Sequence, residues 1–133
     1  MANHYLEYSA FLEIPAGQME KARTIVERES AKWGEDNDCG GSCAEVEDRG
    51  VWFYAQEQGN TDHVEAIARA LLEELEMDER FVCSWAYTCS KPRIDEFGGG
   101  AMVVRRGHET IWVDAMDSAS NADKARRVQQ GVA

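Results

Sequence analysis

The stretch from 81 to 90, FVCSWAYTCS, constrains the fold more than any other. Phe81, Cys83, Trp85, Tyr87 and Cys89 alternate with Val82, Ser84, Ala86, Thr88 and Ser90. Alternation at period two, rich in aromatic and β-branched residues, is the pattern of a β-strand. The first set is large and suits a core. The second is small, as expected where something packs close or where a ligand lies on the sheet. Pro92 ends the strand because it cannot donate to a ladder. A loop with Lys91, Arg93, Asp95 and Glu96 follows, then Phe97 and the run Gly98-Gly99-Gly100. Adjacent glycines are costly in chain entropy. They are expected where the backbone needs unusual dihedrals or close approach to another group. Residues 101–105 and 110–115 read as a hairpin turning through Arg106-Gly107-His108.

The rest of the chain falls into place around that strand. Residues 4–14 alternate, with Leu6, Tyr8, Ala10, Leu12 and Ile14 on one side. Pro15-Ala16-Gly17 turns the chain, and Met19, Ala22, Ile25, Val26 and Trp33 recur at helical spacing over 18–33. Gly34 stops that helix, and 35–42 is a loop by composition. Residues 43–47 and 51–56 flank Asp48-Arg49-Gly50 as a hairpin. Asn60 or Thr61 caps a second helix, whose apolar face is Val64, Ile67, Ala68, Leu71, Leu72 and Leu75. A short, weakly apolar helix over 118–130 ends the chain. The order β-α-β-β-α-β, then a hairpin and a helix, predicts one α+β domain over 1–133. Its core is expected to be ferredoxin-like, with an antiparallel sheet.

Charge narrows the partners. The 133 residues carry a formal net charge of −11. A chain this acidic is repelled by nucleic acid and by anionic membrane surfaces, so a macromolecular partner is expected to be basic. Residues 1–15 lack a basic segment followed by an uninterrupted apolar one, because Glu7 and Glu13 intervene. The expected compartment is therefore the cytoplasm, where four cysteines favour free thiols or metal ligation over disulfides.

Several constellations are candidates for chemistry. Cys39 and Cys43 are placed for metal binding or redox work, although nothing basic nearby activates them. Cys83 and Cys89 lie six residues apart on one strand face, roughly 20 Å at the usual rise, and cannot share an ion. They read as apolar thiols. The loop from Asp36 to Glu47 partly imitates a calcium loop, but Gly40 stands where a ligating side chain is needed. No phosphate-loop, dinucleotide, zinc-protease or serine-hydrolase motif is present, so no cofactor is expected and an enzymatic role is not favoured. Gly98 to Gly100, with Lys91 and Arg93 before them, could wrap an anion with backbone amides. Glu73, Glu74, Glu76, Asp78 and Glu79 crowd the end of the second helix. They are either a solvated surface or a face that imitates the phosphate spacing of nucleic acid.

Two resemblances follow from local segments. Residues 4–27, a strand, then Ile14-Pro15-Ala16-Gly17, then a helix, resemble the opening of the dimeric α+β barrel proteins, which include heme-free antibiotic-biosynthesis monooxygenases. No catalytic set carries over by position. Residues Ser84-Trp85-Ala86, Cys89 to Arg93 and Asp95 to Ala101 resemble segments of uncharacterised small proteins of bacteriophages and mobile elements. That likeness implies an accessory role without an activity.

Two functions are expected from these features. One is a non-enzymatic protein that presents its acidic face, or the Lys91–Ala101 loop, to a basic host nucleic-acid-binding protein. The other is a small-molecule-binding or small enzyme domain, possessing a pocket between sheet and helices lined by Tyr8, Trp52, Tyr54, Trp85 and His108. Sheets of this kind commonly pair, so a homodimer is expected.

Overall fold

The computed structural model describes residues 4–33, 42–94 and 97–131. Strand β1, His4–Glu13, leads through a single 3-10 turn at Ala16–Gln18 into helix α1, Met19–Ala31. Strands β2, Cys43–Val46, and β3, Gly50–Ala55, form a hairpin. Helix α2, Thr61–Glu74, precedes strand β4, Phe81–Cys89. Strands β5, Gly98–Val104, and β6, Ile111–Asp114, follow, and helix α3, Ala115–Gln129, ends the chain. The fold is α+β, with one six-stranded antiparallel sheet in the order β2-β3-β1-β4-β5-β6.

Alternation decides which side of each strand is covered. Tyr8 and Leu12 of β1, Val51, Phe53 and Ala55 of β3, Phe81 and Cys83 of β4, and Met102 and Val104 of β5 are buried. They meet Ala22, Ile25 and Val26 of α1 and Ile67, Leu71 and Leu72 of α2 in one core. Asn60 caps α2, its side chain accepting from the N–H groups of Asp62 and His63. That satisfies two donors that a helix start leaves unpaired. At the other end Glu76 takes φ 51, the position a glycine normally fills after a helix.

Three expected boundaries are corrected. Gly98 to Gly100 are not a loop but the start of β5, opposite Tyr87, Ala86 and Trp85. A Cβ on Gly100 would stand 2.3 Å from the Val113 carbonyl oxygen and 2.8 Å from the Trp85 ring. The glycine is there because the Trp85 indole and β6 leave no room for a side chain. The last helix starts at Ala115, because Asp114 caps it by accepting from Asp117 N–H at 3.1 Å. Finally, β6 starts at Ile111, since Arg69 of α2 holds residues 105–110 as a longer turn. Its guanidinium donates to the carbonyls of Arg105 at 3.1 Å and His108 at 2.7 Å, and to Thr110 Oγ1 at 2.8 Å.

Both helices of the core lie on one face of the sheet, and no described helix covers the other. Phe11, Trp52, Val82, Ile111 and Val113 point from that open face, between 36% and 59% exposed. Helix α3 has no buried residue. No described helix is long and apolar enough to cross a membrane.

Candidate functional site

The open face carries a cleft of about 640 Å³. Its floor is small: Ser9 of β1 and Ser84 and Ala86 of β4. Its wall is aromatic. Trp52 and Tyr54 are two residues apart on β3, so they project on the same side, and their rings stack at 4.0 Å between centroids. Each ring is fixed by a hydrogen bond. Trp52 Nε1 donates to Ser9 Oγ at 2.9 Å, and the Tyr54 hydroxyl donates to the Glu45 carboxylate of the neighbouring strand. The Glu45 acceptor holds the Tyr54 phenol protonated well above the usual tyrosine range. Glu7 and Gln56 stand at the rim. Small floor, rigid aromatic wall and a few polar groups make up a surface on which a flat molecule can lie.

Tyr8, Trp52, Tyr54 and Trp85 all border this cleft, but its place differs from the expected one. It lies on the face opposite the helices, because the space between sheet and helices is filled by the core. Tyr8 and Trp85 turn their side chains toward the helices and border the cleft from the strands beneath it. His108 lies in the exposed turn before β6, its carbonyl bonded to Arg69, and does not line the cleft. Gly98, Gly99 and Gly100 lie in the β4–β5 ladder, where their backbone is committed to strand pairing. They are not a loop that wraps an anion. Lys91 and Arg93 are exposed beside a tight turn, and Asp95 and Glu96 lie outside the described residues.

The cysteines separate in the same way. Cys83 is buried and burial pushes its thiol up to about 11, which makes it a poor nucleophile. Cys43 is half-buried on β2 beside Tyr54, and Cys39 lies outside the described residues, as does the first half of the calcium-like loop. Among the described residues no three His, Cys, Asp or Glu side chains are grouped to hold a metal ion.

The acidic end of α2 is largely paired within the chain. Glu74 accepts from Arg28 of α1, which holds its carboxyl below the usual carboxylate range. Glu73 accepts from Arg69 at 3.1 Å and from the Gly107 N–H at 2.9 Å. Asp78 accepts from Arg106 at 2.6 Å. Glu76 and Glu79 are exposed.

A buried polar chain went unread in the sequence. The Asn60 N–H donates to the Tyr8 hydroxyl at 3.0 Å, Tyr8 is bonded to Ser42 Oγ, and Ser42 Oγ meets His63 Nδ1 at 2.9 Å. With Tyr8 donating to Ser42 and Ser42 donating to His63, the imidazole proton sits on Nε2. His63 is only 2% exposed and the edge of Trp33 packs against its ring at 5.6 Å. Burial lowers the His63 pKa and raises that of Tyr8, so both are neutral near pH 7. The signal was available: His63 precedes Ile67 by one helical turn and so shares the apolar face of α2.

A scan against protein-family models, a search of curated proteins and a search of solved structures found no match to this chain.

Proposed function

We propose that this chain is a small-molecule-binding domain that holds its ligand on the open face of the sheet and works as a homodimer. The cleft walled by Trp52 and Tyr54 over Ser9, Ser84 and Ala86 carries the reading. The order β2-β3-β1-β4, with a helix after β1 and another after β3, supports a ferredoxin-like core extended by β5 and β6. Such a sheet has one face for its helices and one left over. Here the leftover face exposes Phe11, Val82, Ile111 and Val113 around the cleft, and exposed apolar residues in such a patch mark an interaction surface. Six strands at about 4.8 Å spacing and roughly 23 Å of length give on the order of 550 Å² before side-chain relief. With side-chain relief that approaches the roughly 800 Å² per partner of an ordinary stable interface. A second copy laid on this face would convert an open cleft into an enclosed one, where polar contacts strengthen as water leaves.

Native mass spectrometry of the freshly purified chain tests both halves. The expected result is a dimer that retains a small molecule, lost in Trp52→Ala. The pair Val82→Lys and Ile111→Lys should give a folded monomer. A wild-type monomer without retained mass, in a chain that ligand screens fail to stabilise, overturns the reading.

A second reading keeps the acidic surface as the site, offered to a basic nucleic-acid-binding protein of a host. The net charge of −11 and the exposed Glu76 and Glu79 favour it. The pairing of Glu73, Glu74 and Asp78 with arginines of this chain weighs against it. Capture of such a partner would weaken steeply with salt, whereas ligand binding to the cleft would not.

A further inference from the structure

A second cleft, of about 630 Å³, opens on the helix side of the sheet beside the start of α2. Its chemistry differs from the first. Trp85 and Tyr87 of β4 and Trp112 of β6 line it, and the Trp85 and Trp112 rings lie 6.0 Å apart at 55°. Tyr87 is 41% exposed and Trp112 46% exposed, so their ring surfaces are open to a ligand. The glycine run explains how the rings are arranged. Gly100 leaves the space the Trp85 indole occupies, and the nearest neighbour of a Cβ on Gly98 is the Tyr87 ring. The remaining walls are acidic: Asp62 at the start of α2, and Asp114 and Asp117 at the start of α3. No Lys, Arg or His is among the residues that line it.

These features select one kind of ligand. Two helix N-termini contribute about half a positive charge each, which offsets only part of three carboxylates. The cleft is therefore negative and repels anions. No three ligating side chains among the described residues converge on a metal, so the aspartates are spread too widely to chelate one. A cation that fits must be bulky and weakly hydrated, with its charge against ring faces and its surroundings acidic. We propose that this cleft binds a small molecule through a quaternary ammonium group, held over Trp85, Tyr87 and Trp112 by cation–π attraction with Asp62, Asp114 and Asp117 supplying the field. Trp85 borders both clefts, so Trp112 reports on this one and Trp52 on the cleft of the open face.

The test is a titration of the full chain with choline, followed by the indole N–H resonances, against 3,3-dimethyl-1-butanol, its uncharged isostere. Choline is expected to shift Trp85 and Trp112 saturably while Trp52 stays still. The isostere is expected to bind about ten-fold more weakly or worse. Trp112→Ala should lower choline affinity about ten-fold. Trp112→Phe, which keeps a ring, should lower it by less than about three-fold. Strand β6 is an exposed edge, so both variants are expected to fold. Asp117→Asn should cost about three-fold for choline and nothing for the isostere. Equal affinity for the two probes would mean an apolar cleft without cation selectivity and would overturn the proposal. So would shifts centred on Trp52, unchanged affinity in a folded Trp112→Ala chain, or no saturable shift at millimolar choline.

Discussion

Lowering the pH from about 7.5 to about 5.5 should destabilise this protein through one residue, His63. In the unfolded chain its imidazole titrates near 6.5, the ordinary value. In the fold it is 2% exposed and burial depresses its pKa. The native state therefore refuses a proton that the unfolded state accepts. Stability is complete above about pH 6.5 and is lost as pH falls toward the depressed native pKa. Over two pH units centred on 6.5 the linkage amounts to at most about 1.4 kcal/mol, reached when the native pKa lies below the window. The Glu74 carboxylate, held low by Arg28, loses its contribution only below the ordinary carboxylate range, so it does not interfere. His63→Gln removes the titration while leaving an amide to meet Ser42. Urea unfolding of both chains at the two pH values, at one protein concentration, measures the effect. The wild type should lose up to about 1.4 kcal/mol more than the variant across the interval. Equal losses in the two chains would refute the argument that the Tyr8–Ser42–His63 chain is buried around a neutral imidazole.

Three further outcomes are expected. Gly100→Ala should destabilise by about 1–3 kcal/mol, because its Cβ meets both β6 backbone and the Trp85 ring, whereas Gly98→Ala, with 3.8 Å to Tyr87, should be neutral or slightly stabilising; thermal unfolding separates the two. Arg69→Lys should loosen the turn before β6 as much as Arg69→Ala does, since one ammonium cannot reach two carbonyls and Thr110 together, and faster hydrogen exchange of the β6 amides would show it. Glu76→Gly should raise stability by about 1 kcal/mol by relieving the left-handed backbone, read as a shift in the urea midpoint.

What could be read from the sequence was local, and what could not was held elsewhere in the chain. Helix α2 was legible because its cap, Asn60, and its apolar face lie within fifteen residues of each other. The strand status of Gly98 to Gly100 was not. Three glycines read as a loop unless the ring that covers them is known, and that ring is Trp85, on another strand. The acidic end of α2 looked unopposed because Arg28 and Arg106, which neutralise Glu74 and Asp78, are distant in sequence. The aromatic pair Trp52 and Tyr54 was recognised as a pocket wall, but the side of the sheet it faces depends on where both helices pack.

The alternation in β4 ties these observations together. Its odd positions pass from buried core at Phe81 and Cys83 to the exposed ring of Tyr87, because α2 covers only the first half of the strand. Its even positions remain small at Ser84 and Ala86, under the Trp52–Tyr54 wall. One strand thus furnishes a core, an aromatic cleft on the helix side and the floor of a cleft on the other. A slip of one residue in its pairing would exchange all three, placing Ser84 and Ala86 toward the helices and the aromatic rings on the open face. The observed register seats the Trp85 indole over Gly100, where a Cβ would collide with it, and beside Trp112. A glycine that read as part of a loop therefore makes room for the ring in this register, and Trp85 borders both candidate clefts.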